Sequence, residues 1–129
     1  MNLEIIVSMK GDTPIYEQIE AQIKEQILAG RLPAGTPIPS MRTLAKMLKV
    51  SVITVQRAYE DLKRDGWIES AVGRGTVVAQ VDRQQQLEEK RLELEGCLNK
   101  ALSLARVLGL SVDELTALVR VLAEEEKDE

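Results

Sequence analysis

Residues 39–55 read PSMRTLAKMLKVSVITV, and this stretch decides the fold. Ser40 is a natural N-cap, and Leu44, Ala45 and Leu48 then recur at the spacing of a buried helical stripe. Lys49 and Val50 interrupt that pattern, and Ser51 can cap a further helix whose Val55, Ala58, Tyr59 and Leu62 form a second inward stripe, ended by Asp65-Gly66. Two short helices joined by a tight turn are predicted here. The outward face of the second helix carries Thr54, Gln56, Arg57, Glu60, Lys63 and Arg64, side chains able to bond to bases or phosphates in a groove of DNA.

Upstream, Ile15, Ile19, Ile23 and Ile27 recur every four residues behind Pro14, which predicts a first helix ending near Gly30. Three prolines (Pro33, Pro37 and Pro39) keep the following connection extended. The β-branched run at residues 3–8 (LEIIVS) predicts a brief strand added to a sheet edge. Downstream, residues 67–70 and 76–79 are β-like runs separated by Ala71-Val72-Gly73-Arg74-Gly75, which predicts a hairpin with a glycine-rich tip. A helix pair followed by such a hairpin is the layout of a winged helix-turn-helix, whose third helix enters the major groove.

The run is similar to the GntR family of bacterial regulators. The motif P-S-x-R-x-L-A stands at Pro39–Ala45 and V-S-x-x-T-V at Val50–Val55, followed by Ala58-Tyr59, Leu62, Gly66-Trp67-Ile68 and the hairpin Gly73-Arg74-Gly75-Thr76. The resemblance covers about residues 13 to 79. It implies DNA contacts by Arg42, by Ser51, Thr54 and Gln56 at the start of helix three, and by Gly73 in the wing. Arg57, Arg74 and Gly75 join that candidate DNA-binding set. Where the family often has arginine directly after the helix-three serine, this chain has Val52, so that base-reading contact is either absent or replaced by apolar contact with a thymine methyl group.

From about Gln80 the composition shifts to Gln, Glu, Leu and Arg. Leu87, Leu94, Ala101 and Leu108 stand seven apart, with Leu98 and Ala105 between them, which predicts a long amphipathic helix stopped by Gly109. Ser111-Val112-Asp113-Glu114 has the capping-box form, opening a last helix through Leu115, Leu118, Val119 and Leu122, with an acidic end expected to fray from Glu124. These leucines and alanines are the candidate dimerisation residues, because the chain holds no partner core of matching size. An internal two-helix hairpin is the other reading of the stripe. A tail of two helices resembles the family's small YtrA-type branch. The fold class expected is mostly α, an α+β winged helix-turn-helix at residues 1–79 followed by a helical dimerisation segment at 80–129.

Charge agrees once it is divided along the chain. The net charge is −4, yet residues 1–79 carry 10 Lys/Arg against 9 Asp/Glu and residues 80–129 carry 7 against 12. Within residues 36–64 the balance is 6 basic to 2 acidic, a local footprint for phosphates. The chain has no histidine and a single cysteine, Cys97, read as a small buried hydrophobe, so no catalytic residues, metal site or cofactor are expected. No apolar run approaches the roughly 18 residues of a membrane span, so the expected location is cytoplasmic. The expected partners are double-stranded operator DNA and a second copy of the chain, with no membrane and with any small-molecule effector unknown. About 50 residues committed to two helices leave no room for an enclosed ligand cavity of about 300 Å³. The function expected is sequence-specific transcription regulation, by repression, at an inverted-repeat operator. The alternative is a winged-helix module that binds protein instead of DNA.

Overall fold

A computed structural model describes residues 3–127, in the order α1 (Ile15–Leu28), α2 (Met41–Leu48), α3 (Val52–Arg64), β1 (Ile68–Ala71), β2 (Gly75–Val78), α4 (Arg83–Leu108) and α5 (Val112–Lys127). The outermost residues of the two expected domains, 1–2 and 128–129, lie outside the described range. Two compact units, Met1–Gln86 and Leu87–Glu129, divide the chain within α4.

In the first unit, α1, α2 and α3 close on an aliphatic core. Ile19, Ile23, Leu44, Val55, Ala58, Tyr59 and Leu62 are all buried, with Trp67 and Ile68 covering the base of the hairpin. Every residue of the two predicted inward stripes is buried except Leu48, which is half-buried. Ser40 and Ser51 both cap as expected, each side chain accepting the amide N–H three residues on, from Thr43 and Thr54 at 3.2 Å. Tyr59 donates its hydroxyl to the Pro39 carbonyl at 2.7 Å, which ties α3 to the extended connection before α2.

The turn between α2 and α3 is set by Lys49. Its φ of 58° lies in the left-handed region, and the Lys49 and Val50 amides donate to the carbonyls of Lys46 and Ala45. The ends of α1, α3 and α4 use the same paired closure with Gly30, Gly66 and Gly109 at the left-handed position. Only the helix-turn-helix joint sets a residue with a Cβ there, at a local cost of about 1–2 kcal/mol.

β1 and β2 pair antiparallel, Ile68 opposite Val78 and Ala71 opposite Gly75, leaving Val72-Gly73-Arg74 as the connecting loop. Each strand is displaced by one residue from its expected span, and the loop is shorter than predicted because Ala71 and Gly75 close the ladder. The proline-rich connection is more than a spacer. Ile38 donates to Thr76 and Val78 donates to Thr36, at 3.0 and 2.9 Å, so residues 36–38 run beside β2 and anchor the hairpin to the helices.

Residues 3–8 are extended but join no sheet, which corrects the edge-strand expectation. Their partners are three glutamines of α1. Glu4, Ile6 and Ser8 each donate a backbone N–H to, and accept from, the side-chain amide of Gln26, Gln22 and Gln18 respectively, over 2.6–3.2 Å. Four residues of helix rise about 6 Å and two residues of extended chain about 6.6 Å, so amides four apart stay in step with alternate strand residues. The intervening Leu3, Ile5 and Val7 pack against the core.

In the second unit, Ser111 and Glu114 form the predicted capping box in both directions at 3.1 Å. α5 runs to Lys127, and the last two residues of the acidic end expected to fray lie outside the described residues. Among the described residues of this unit only Ala105 is buried, with Ala101, Leu102, Leu110 and Leu115 half-buried. Cys97 is exposed, which corrects its reading as a buried hydrophobe, because the flank of α4 on which it stands is uncovered in a single chain.

Candidate nucleic-acid interface

With its apolar stripe turned inward, α3 presents Ser51, Val52, Ile53, Gln56, Arg57, Glu60, Lys63 and Arg64 to solvent. Arg42, second residue of α2, is exposed as well, and Gly73, Arg74 and Gly75 are exposed at the hairpin tip. All nine candidate DNA-binding residues therefore belong to one packed unit, eight of them exposed and Thr54 half-buried. Thr54 sinks because its hydroxyl shares a 2.8 Å hydrogen bond with Ser51 as part of the cap.

Exposed cations on this face differ in how far their charge is already answered. Arg64 is held by Asp61 at 3.0 Å and Asp65 at 3.2 Å, and Lys63 donates to Ser70 at 3.0 Å. Gln56 bonds to Glu60 at 3.0 Å, one helical turn on, which holds its amide along the outward face. Among the described residues, Arg42, Arg57 and Arg74 have no carboxylate partner, so their donors are available to phosphate or base oxygens. Spacing alone does not decide this, because Glu60 and Asp61 stand three and four residues from Arg57, but Asp61 is taken by Arg64 and Glu60 accepts from Gln56.

Three residues of this region escaped the sequence reading. Ile53 and Val72 are 77% and 104% exposed, large apolar side chains in water at the start of α3 and at the hairpin tip. Tyr16 lies with its ring under Arg57, the guanidinium carbon 3.8 Å from the ring centre. The signal for Ile53 and Val72 was present, as β-branched residues at positions that face neither core stripe. Tyr16 and Arg57 are 41 residues apart, and only the packing of α1 on α3 brings them together.

The two large titration shifts in this region fall on Tyr59 and Glu20. Burial raises the Tyr59 hydroxyl above its usual pKa, so it stays a donor to Pro39. Burial first, and then the hydrogen bond and negative charge of Asp61, push the Glu20 carboxyl up to about 7, against the opposing pull of Lys24. Among the described residues no group of three or more His, Cys, Asp or Glu side chains is placed to hold a metal ion, and no helix is long and apolar enough to cross a membrane.

The candidate dimerisation residues form an apolar surface instead of a core. Leu87, Leu94, Leu98, Leu108, Leu118 and Leu122 are exposed, Ala101 and Leu115 half-buried, and Ala105 buried. Between α4 and α5 runs a groove of about 310 Å³ lined by nine apolar side chains, among them Ala105, Leu108, Leu115, Leu118 and Leu122, with Leu104, Leu110 and Val119 added to the candidate dimerisation residues. In a single chain α5 shares this groove with the C-terminal end of α4, while Leu87, Leu94 and Leu98 further up α4 are exposed.

Comparison with known proteins agrees with this architecture. Residues 15–78 match the family described as bacterial regulatory proteins, gntR family. The chain is 32% identical over 123 residues to the HTH-type transcriptional repressor YtrA of Bacillus subtilis, covering 95% of both chains. It is similar to the solved structure of YtrA from Sulfolobus acidocaldarius, a GntR-family transcription factor, at 37% identity and a TM-score of 0.59, covering 74% of this chain and 97% of that one. It is also similar to the DNA-binding domain of AraR solved in complex with operator ORX1, at 29% identity and a TM-score of 0.51, covering 61% and 99%. A relative matched over 95% of both chains, a family match that spans the helix-turn-helix and hairpin, and a solved YtrA structure among the similar folds place the chain. It belongs to the GntR family of bacterial regulatory proteins, in the YtrA-type branch, and is a DNA-binding transcription regulator, not an enzyme.

Proposed function

We propose that this protein is a transcriptional repressor that works in the cytoplasm as a homodimer on an inverted-repeat operator. Residues 1–79 bind the DNA in this reading and residues 80–129 join the two subunits. The observation that carries it is the uncovered leucine face of α4 and α5, where Leu94, Leu98 and Leu108 are 58, 49 and 71% exposed. Each such side chain forgoes roughly 1.5–3 kcal/mol of burial that a partner helix would restore. A closed two-fold pair is the commonest way to cover such a face, and it presents two identical copies of α3 to successive major grooves.

Direct readout is assigned to Arg42, Gln56 and the N-terminal turn of α3, and backbone contact to Arg57 and to the wing residues Gly73, Arg74 and Gly75. Ser51 and Thr54 serve chiefly by capping α3, which fixes the angle at which the helix enters the groove, and Val52 meets a thymine methyl group. The complex of the related AraR domain with its operator, and the repressor name of the Bacillus relative, support the DNA-binding and repressing parts of the proposal.

The test is selection of bound duplexes from a random pool, followed by footprinting. Two inverted half-sites about 10 base pairs apart centre to centre, or a multiple of that, are expected. Recovery of direct repeats or single half-sites would reject the two-fold arrangement, and recovery of no preferred sequence would favour a protein-binding winged helix.

A further inference from the structure

We propose that Tyr16 is a positioning residue for DNA binding, acting through Arg57. This rests on the placement of α3 at the DNA given above, and it assigns a part in recognition to α1, the helix that packs behind α3 and holds the N-terminal segment. The guanidinium of Arg57 stacks over the Tyr16 ring with its carbon 3.8 Å from the ring centre. Stacked in that way, an arginine has one face covered while its N–H donors still fan outward in the plane, the geometry that matches a phosphate.

Three features of the surroundings make this pair a preset phosphate clamp instead of an ordinary surface contact. Arg57 has no carboxylate partner among the described residues, whereas Arg64, two turns further along α3, is neutralised by Asp61 and Asp65. The Tyr16 hydroxyl is drawn to the neighbouring Glu17 at 3.2 Å, so the ring, and not the hydroxyl, is what Tyr16 offers to Arg57. Ile15 and Tyr16 pack at the edge of the same core that buries Ile19, Val55 and Tyr59, so the ring is fixed with respect to α3. An arginine free in solvent must lose its rotamer freedom on binding phosphate, and one already laid on a fixed ring loses less.

The test is titration of the full chain with a mixed-sequence duplex at fixed low salt, since a phosphate contact does not depend on the operator. Tyr16→Phe keeps the ring and is expected to bind as wild type. Tyr16→Leu is expected to bind two- to fivefold more weakly, the range of an exposed cation–π contact. In an Arg57→Ala background, Tyr16→Leu is expected to cause no further loss. Wild-type binding by Tyr16→Leu, an equal loss in both backgrounds, or a loss in Tyr16→Phe matching that in Tyr16→Leu would each overturn the proposal. Circular dichroism of every variant separates a folding defect from a binding one. If Arg57→Ala itself binds as wild type, the proposal fails, and Arg42→Ala and Arg74→Ala then decide whether the placement of α3 fails with it: weaker binding by those variants leaves the placement standing.

Discussion

Leu62 and Leu94 are the same side chain put to opposite use: Leu62 is fully buried between α3 and its neighbours, and Leu94 is 58% exposed on α4. The contrast extends to their units. The N-terminal unit closes its own core, ties its loops to that core through Tyr59, the Thr36–Ile38 pairing and the α1 glutamines, and turns a basic face outward. The C-terminal unit is a pair of helices with long apolar flanks, held along α4 by exposed ion pairs such as Arg91 with Glu95 at 2.8 Å. One region buries its apolar side chains within itself, and the other leaves most of its own exposed, which is the basis for proposing that a second copy completes it. Stability in the first should be independent of protein concentration, while structure and function in the second should depend on it.

The largest effect expected from breaking this contrast comes from charging the apolar flank. Leu94→Glu with Leu98→Glu should abolish specific operator binding at concentrations where wild type saturates, because four carboxylates would meet in the seam, while leaving the circular dichroism of the N-terminal unit unchanged. Next is the core itself. Leu62→Ala should cost about 2–5 kcal/mol in denaturant unfolding at any protein concentration, and Leu94→Ala should show a loss only where the wild type associates. On the DNA side, Arg42→Ala and Gln56→Ala should each weaken operator binding by about 1–3 kcal/mol without loss of fold, as measured by anisotropy titration. Arg74→Ala should act more mildly and alike on operator and random duplex, lowering the salt slope of binding by about one.

The smallest effect sharpens the account of the α1–α3 contact. Glu20 is raised to about 7 when folded from an ordinary 4.5, so the folded state favours its protonated form. Stability from this group is complete below pH 4.5 and declines as pH rises to about 7, because the unfolded chain releases the proton first. Glu20→Gln should therefore raise the melting temperature above pH 7 and leave it unchanged well below pH 4.5, a difference readable by thermal unfolding at the two extremes.

The helices and the hairpin were legible because their signals are local. Ser40, Ser51 and the Ser111–Glu114 box announce helix starts within four residues, and the stripes at Ile15–Ile27 and Val55–Leu62 keep one period throughout. The N-terminal segment was misplaced for an equally physical reason. Its alternation of Leu3, Ile5 and Val7 reports an extended chain with one buried side but does not say what answers the backbone on the other side, and the answer came from glutamines 10 to 22 residues away on a helix. The stacking of Arg57 on Tyr16 was invisible on the same grounds. Cys97 was misjudged because a stripe position is buried only once a partner is present, and one chain supplies none for that part of α4.

The claim that the second unit is completed by a second copy is tested most directly by sedimentation velocity of the wild-type protein, with and without its selected operator duplex. The predicted result is a species of twice the 14.4 kDa chain mass at micromolar concentration, binding one duplex per pair of chains. A protein that sediments at 14.4 kDa throughout and still binds a single half-site tightly would contradict it.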